Sequence, residues 1–136
     1  MTQEQAIREI ISRCRTVALV GLSPKPHRES YGVARYMQSR GWRVIPVNPN
    51  ALEVLGEKAY ATLADAAAHE KIDLVNVFRN SEDVPPVVEE AIALGLPALW
   101  LQLGIHHDDA IAKAQAAGLL AVQDKCLKVE HARLVP

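Results

Sequence analysis

Apolar positions along this chain switch between helical spacing and short unbroken runs, and the switching predicts alternating helices and strands. Thr2 and Gln5 form a capping box, and Ile7, Ile10, Ile11 and Cys14 recur at helical spacing, so a first helix covers residues 3–13. Thr16 to Leu22 is a near-continuous apolar run, the pattern of a parallel strand covered by helices on both faces, and Gly21 stops it. Ser30 is placed to cap a second helix whose inner face is Val33, Tyr36 and Met37, and Gly41 ends that helix. Trp42 to Val47 is the second strand, although Pro46 removes one ladder donor and counts against a fully paired central position. Leu52 to Tyr60 has no clear period, and Thr62 with Asp65 opens a short alanine-rich helix.

The second half repeats the alternation. Asp73 to Phe78 is a third strand, and Ser81-Glu82-Asp83 starts a helix in which Pro85 and Pro86 are tolerable only in the first turn. Gly95 ends it. Ala98 to Gln102 is a fourth strand, Asp108 to Ala117 a helix closed by Gly118, Leu119 to Val122 a fifth strand, and Leu127 to His131 a last helical turn. Five strands alternating with helices through right-handed crossovers predict an α/β fold: a doubly wound, open parallel sheet in the order 3-2-1-4-5, with helices on both faces.

Composition narrows the class. A length of 136 residues fits one domain, residues 1–136. Surface scaling predicts about 7,000 Å² exposed when folded. With 49% hydrophobic and 23% charged residues, disorder is excluded. No apolar run approaches the ~18 residues that span a bilayer, and the charged start at Met1 to Glu9 is unlike a signal peptide. A cytoplasmic protein with no membrane partner is expected. Cys14 and Cys126 stand far apart without a CxxC or Cys/His cluster, so neither a disulfide framework nor a metal site is expected. The net charge of −1 argues against nucleic acid as a partner, yet Leu22 to Arg43 holds five basic residues and one acid. That local excess calls for an anion.

In such a sheet the ligand lies beyond the carboxyl ends of the strands, where strand order reverses beside the first strand. Gly21-Leu22-Ser23 follows that strand, and Ser30-Tyr31-Gly32 opens the next helix, whose free N–H groups and dipole favour a phosphate. Lys25, His27 and Arg28 in the connecting loop supply cations that can close over a pyrophosphate, while an ordinary solvated loop is the bland alternative. The pattern is not GxGxxG, because Ser23 replaces the second glycine. Nor does the second strand end on the acid that reads an NAD ribose; Asn48 and Pro49 stand there, suited to an adenosine contact or to a plain turn. Phe78 and Arg79 end the third strand and Gln102 to Gly104 the fourth, so they can flank one cleft, Phe78 as an apolar wall and Arg79 as a second cation. A core aromatic with a solvated neighbour is the alternative. His106-His107-Asp108-Asp109 reads more simply as a helix start capped by Asp108 than as a metal site, and Cys126 as a packed thiol. No catalytic set emerges.

Gly21-Leu-Ser-Pro-Lys-Pro, Ser30-Tyr-Gly-Val-Ala, Val44-Ile-Pro-Val-Asn-Pro, Val54-Leu-Gly-Glu-Lys-Ala-Tyr, Val75-Asn-Val-Phe-Arg, Trp100-Leu-Gln-Leu-Gly and Cys126-Leu-Lys-Val-Glu-His, in this order, resemble the stand-alone CoA-binding proteins of bacteria and archaea. That family in turn resembles the amino-terminal CoA-binding domain of the succinyl-CoA synthetase alpha subunit. The resemblance implies a Rossmann-like domain that takes coenzyme A or an acyl-CoA. It implies that Gly21, Leu22 and Ser23 hold the pyrophosphate with Arg28, Ser30 and Tyr31 beside it. Asn48 and Pro49 would meet the adenosine, Lys58 its ribose phosphate, and Phe78 with Arg79 the pantetheine. The synthetase glycine loop is shorter, so Lys25 and Arg28 have no secure counterpart there. The synthetase's phosphorylated histidine lies in a later domain, so catalysis by this domain alone is not expected. Two other functions fit the same pattern: an NAD(P)-dependent oxidoreductase, and a regulatory or partner-binding protein with a vestigial pocket. A homodimer or another protein partner is compatible with the small size.

Overall fold

The computed structural model describes residues 1–136. Helix α1 (Gln3–Arg13) begins at the expected box: Gln5 N–H donates to Thr2 Oγ1 at 3.1 Å while Thr2 N–H donates to Gln5 Oε1 at 2.7 Å. Two donors that no helical carbonyl reaches are satisfied reciprocally. The chain continues through β1 (Thr16–Val20), α2 (Glu29–Ser39), β2 (Arg43–Val47), β3 (Glu53–Val54), β4 (Glu57–Lys58), α3 (Leu63–His69) and β5 (Leu74–Val77). It ends with α4 (Val84–Ala93), β6 (Ala98–Leu101), α5 (Asp108–Ala116), β7 (Leu120–Val122) and α6 (Leu127–Leu134). The exposed surface is 6833 Å², close to the roughly 7,000 Å² expected from chain mass.

Five strands pair in parallel in the order β2-β1-β5-β6-β7. The fold class is the expected one, a doubly wound α/β sheet. Counted over the five parallel strands the order is 2-1-3-4-5, so the third strand lies beside the first, and not outside the second as 3-2-1-4-5 has it. Pro46 gives the physical reason. Its carbonyl faces outward, accepting from Tyr60 N–H at 3.0 Å, so its missing N–H falls on the same outer side. A full strand pairing there would lose a ladder bond. Instead the edge is met by a single bridge from Val47 to Tyr60 and by the β3–β4 hairpin.

Two apolar layers sandwich the sheet. Helices α1, α2 and α6 cover one face through Ile7, Ile10, Val33, Met37 and Leu127; α3, α4 and α5 cover the other through Leu63, Val88 and Ala114. Every residue of β5 and of β6 is buried, as strands covered on both sides require, and all are apolar except Asn76 of β5. Because α2 leaves β1 on one face and α4 leaves β5 on the other, a crevice opens between the carboxyl ends of these neighbours. No helix is long and apolar enough to cross a membrane.

Three local expectations need correction. Ser30 does not cap α2; it is that helix's second residue, Arg28 occupies the cap position without a side-chain bond, and Ser30 Oγ accepts from Ser23 N–H at 3.0 Å. Asp108 does not cap α5. His107 does, its Nδ1 accepting from Ala110 N–H at 3.1 Å, while Asp108 accepts from Gln123 Nε2 at 2.8 Å. The stretch without a period, Leu52 to Tyr60, holds the β3–β4 hairpin, turning at Leu55 (φ 52°) and Gly56 (φ 79°).

Candidate functional site

The crevice begins at Gly21, the first residue after β1. Its φ of +90° is a left-handed conformation that disfavours a side chain, and a Cβ there would stand 2.3 Å from the Phe78 carbonyl oxygen. Gly21 N–H donates to Val47 O and Phe78 N–H to Val20 O, both at 2.9 Å, so the ends of β2, β1 and β5 are drawn together around this glycine. Only a bare backbone lets the chain turn so close to β5.

The connecting loop folds on itself. Ser23 Oγ accepts from Lys25 N–H at 3.1 Å, and Arg28 N–H donates to Lys25 O at 3.0 Å. Ser23 therefore spends both its N–H and its hydroxyl lone pair on shaping the loop. The donors left over belong to α2: its first backbone bond runs from Gly32 N–H to Arg28 O, which leaves the N–H groups of Glu29, Ser30 and Tyr31 without helical acceptors. They lie at the positive, amino end of the helix dipole, which favours an anion.

Gly21, Ser23, Lys25, Arg28, Glu29, Ser30 and Phe78 line a cavity of about 350 Å³. Phe78 also borders a second depression of about 450 Å³, lined with it by Arg79, Asn80, Asp83 and Ile105. The two form a trough over the ends of β1, β5 and β6, each within the roughly 300–1,000 Å³ of small-molecule sites. Lys25, Arg28 and Arg79 take part in none of the molecule's ion pairs, which leaves three unpaired cations along the trough against the carboxylates of Glu29 and Asp83. A separate depression beside Met1 and the start of β7 carries no charged side chain.

Thus the structure brings Gly21, Ser23, Lys25, Arg28, Ser30, Phe78 and Arg79 to one rim. Leu22 is buried beneath it and Tyr31, half-buried, packs on the same apolar layer. Asn48 borders the rim as a staple: its Nδ2 donates to Leu22 O at 2.9 Å and its Oδ1 accepts from Asn50 N–H at 2.8 Å, with Pro49 exposed between. Lys58 lies on β4 alongside β2, its Nζ 5.3 Å from the Tyr60 ring centroid, and does not line the trough. Three lining residues were not singled out from sequence, Glu29, Asn80 and Asp83; nothing but their adjacency to the strand ends marks them.

Other reactive groups are accounted for by packing. Burial pushes the Cys14 thiol up to about 11, with the Asp73 carboxylate adding to the rise, and its Sγ donates to Asp73 O at 3.5 Å. Cys126 is half-buried and free. No group of three or more His, Cys, Asp or Glu side chains is arranged to hold a metal ion.

Residues 15–132 match the model of the CoA binding domain family. The chain belongs to this family. It is 41% identical over 126 residues to the uncharacterized protein YneT of Bacillus subtilis, covering 93% of this chain and 92% of that one. A hypothetical protein from Pyrococcus horikoshii superposes with a TM-score of 0.91 at 40% identity, covering 100% of this chain and 94% of the other. An ADP-forming acetate–CoA ligase of Methanocaldococcus jannaschii is 29% identical over 80 residues, which is 59% of this chain but 11% of the ligase.

Proposed function

We propose that this member of the CoA-binding family binds coenzyme A or an acyl-CoA in the trough between β1 and β5. The observation that carries this reading is the coincidence, at one cavity of about 350 Å³, of a turn that admits only glycine, unused helix N–H groups and unpaired cations. A diphosphate needs all three: close backbone approach, donors already in place, and charge compensation. Gly21, Leu22 and Ser23 shape the diphosphate seat, with Lys25, Arg28, Ser30 and Tyr31 around it. Asn48 and Pro49 border the adenosine side, and Lys58 lies on that flank within reach of a ribose phosphate only through movement of its side chain off Tyr60. Phe78 provides the apolar wall for pantetheine, continuing toward Ile105.

The chain's match to the ligase covers only a small part of that enzyme, which fits a binding module that performs no acyl transfer alone. Isothermal calorimetry with CoA, acetyl-CoA, NAD and NADP tests the proposal. CoA or its thioester is expected to bind with one site per chain, and free ligand at about 100 times its Kd should raise unfolding stability by about 2.7 kcal/mol. Binding of NAD or NADP with no response to CoA would overturn the assignment.

A further inference from the structure

Arg79 sits on the pantetheine side of the trough by sequence, yet its guanidinium leans the other way. Its Nη1 lies 3.1 Å from where a Cβ on Gly21 would stand. The head is therefore over the glycine turn, on the side where β5 ends, although Asp83 borders the same depression four residues later. It makes no hydrogen bond or ion pair within the protein, and Arg79 is only partly exposed. A guanidinium that is partly withdrawn from water and left without a counter-charge loses hydration without compensation. A negatively charged ligand group at Gly21 would supply it.

We infer that Arg79 is an anion-holding residue of the diphosphate seat, gripping the ligand from the β5 wall while the amino end of α2 faces it from the other side. This rests on the CoA-binding reading and reassigns Arg79 within it, from pantetheine wall to phosphate contact. The planar fork of the guanidinium suits two oxygens of one phosphate, which an ammonium cannot match. Two walls with separate donors favour ligands carrying two linked phosphates over those with one. Lys25 and Arg28, both exposed on the loop, then have a subordinate part.

Ligand fragments separate the possibilities. Calorimetric titrations of wild type, Arg79→Gln and Arg79→Lys with CoA, ADP, AMP and pantetheine are compared, after thermal unfolding of each variant without ligand shows that it folds. Arg79→Gln is expected to weaken CoA and ADP by a similar factor, roughly tenfold to a hundredfold, with a smaller change for AMP and none for pantetheine. Arg79→Lys should fall between. If CoA weakens while ADP is unchanged, or if neither changes, the assignment of Arg79 to the diphosphate is wrong while CoA binding stands. Wild-type protein that takes neither CoA nor ADP removes both. Should Arg79→Gln not fold, the Arg79→Lys result decides: affinity for ADP equal to wild type rejects the role.

Discussion

Gly21 places the strictest demand on a single position. Alanine there meets a positive φ and a backbone oxygen at 2.3 Å, and backbone cannot swing aside as a flexible side chain would. Gly21→Ala is expected to destabilise the fold by about 2 kcal/mol or more. Gly32, inside α2, has open space where its Cβ would stand and no positive φ, so Gly32→Ala should be neutral or stabilising by up to about 1 kcal/mol. Urea unfolding midpoints check the pair; similar losses in both would mean that the contact at Phe78 O is relieved by relaxation. The importance of Gly21 was legible because a glycine directly after an apolar strand marks a turn. Ser30 was not legible in its true role, since helix α2 starts two residues earlier than a cap at Ser30 requires, and the hydroxyl then meets Ser23 N–H, seven residues back.

Element by element, sequence patterns worked where one local rule dominated. The capping box placed α1, and the apolar runs placed β1, β5 and β6 within about two residues at each end. The β3–β4 hairpin escaped because each strand has two residues, too few to show alternation, and the turn puts Leu55 at φ 52°, a site where Asn or Gly would have been the signal. The start of α5 shows the reverse problem: His107, Asp108 and Asp109 all suit a helix amino end, and only geometry decides which one caps. Because His107 Nδ1 accepts from Ala110 N–H, His107→Ala should cost about 1 kcal/mol, while His107→Asn restores most of it. Asp108→Ala should cost less than His107→Ala, as it removes a bond to Gln123 and no helical donor loses its partner. Thermal denaturation of the three variants tests the ranking, and an equal or larger loss for Asp108→Ala would contradict the assigned cap.

For the whole molecule, the layered architecture follows from strand and helix alternation, but the neighbour of β1 does not, because a strand buried on both faces has the same composition wherever it sits in the sheet. Pro46 was the available clue. What joins the ends of the chain to the site is α6, which packs on α1 and α2 and anchors through His131. That side chain is 4% exposed, its Nδ1 lies 3.0 Å from Tyr36 Oη, and its ring meets Trp42 edge-on at 6.0 Å. Burial, reinforced by the charges of Arg40 and Arg15, holds its pKa below the ordinary value of 6.5. In the unfolded chain the same imidazole takes a proton as pH falls through about 6.5, so acidification lowers the free energy of the unfolded state first. The stability that neutral His131 confers is complete above that pH and declines below it, until the folded protein too becomes protonated. Replacing His131 by Phe keeps an aromatic ring against Trp42 and abolishes the proton uptake. The variant is expected to be less stable at pH 7.5, through the lost Tyr36 bond, yet to lose less on moving to pH 5.5 than wild type does. Urea unfolding of both proteins at the two pH values measures the difference directly. Equal losses on acidification would show that the pH dependence in this range arises elsewhere, and that α6 is held by its apolar residues alone.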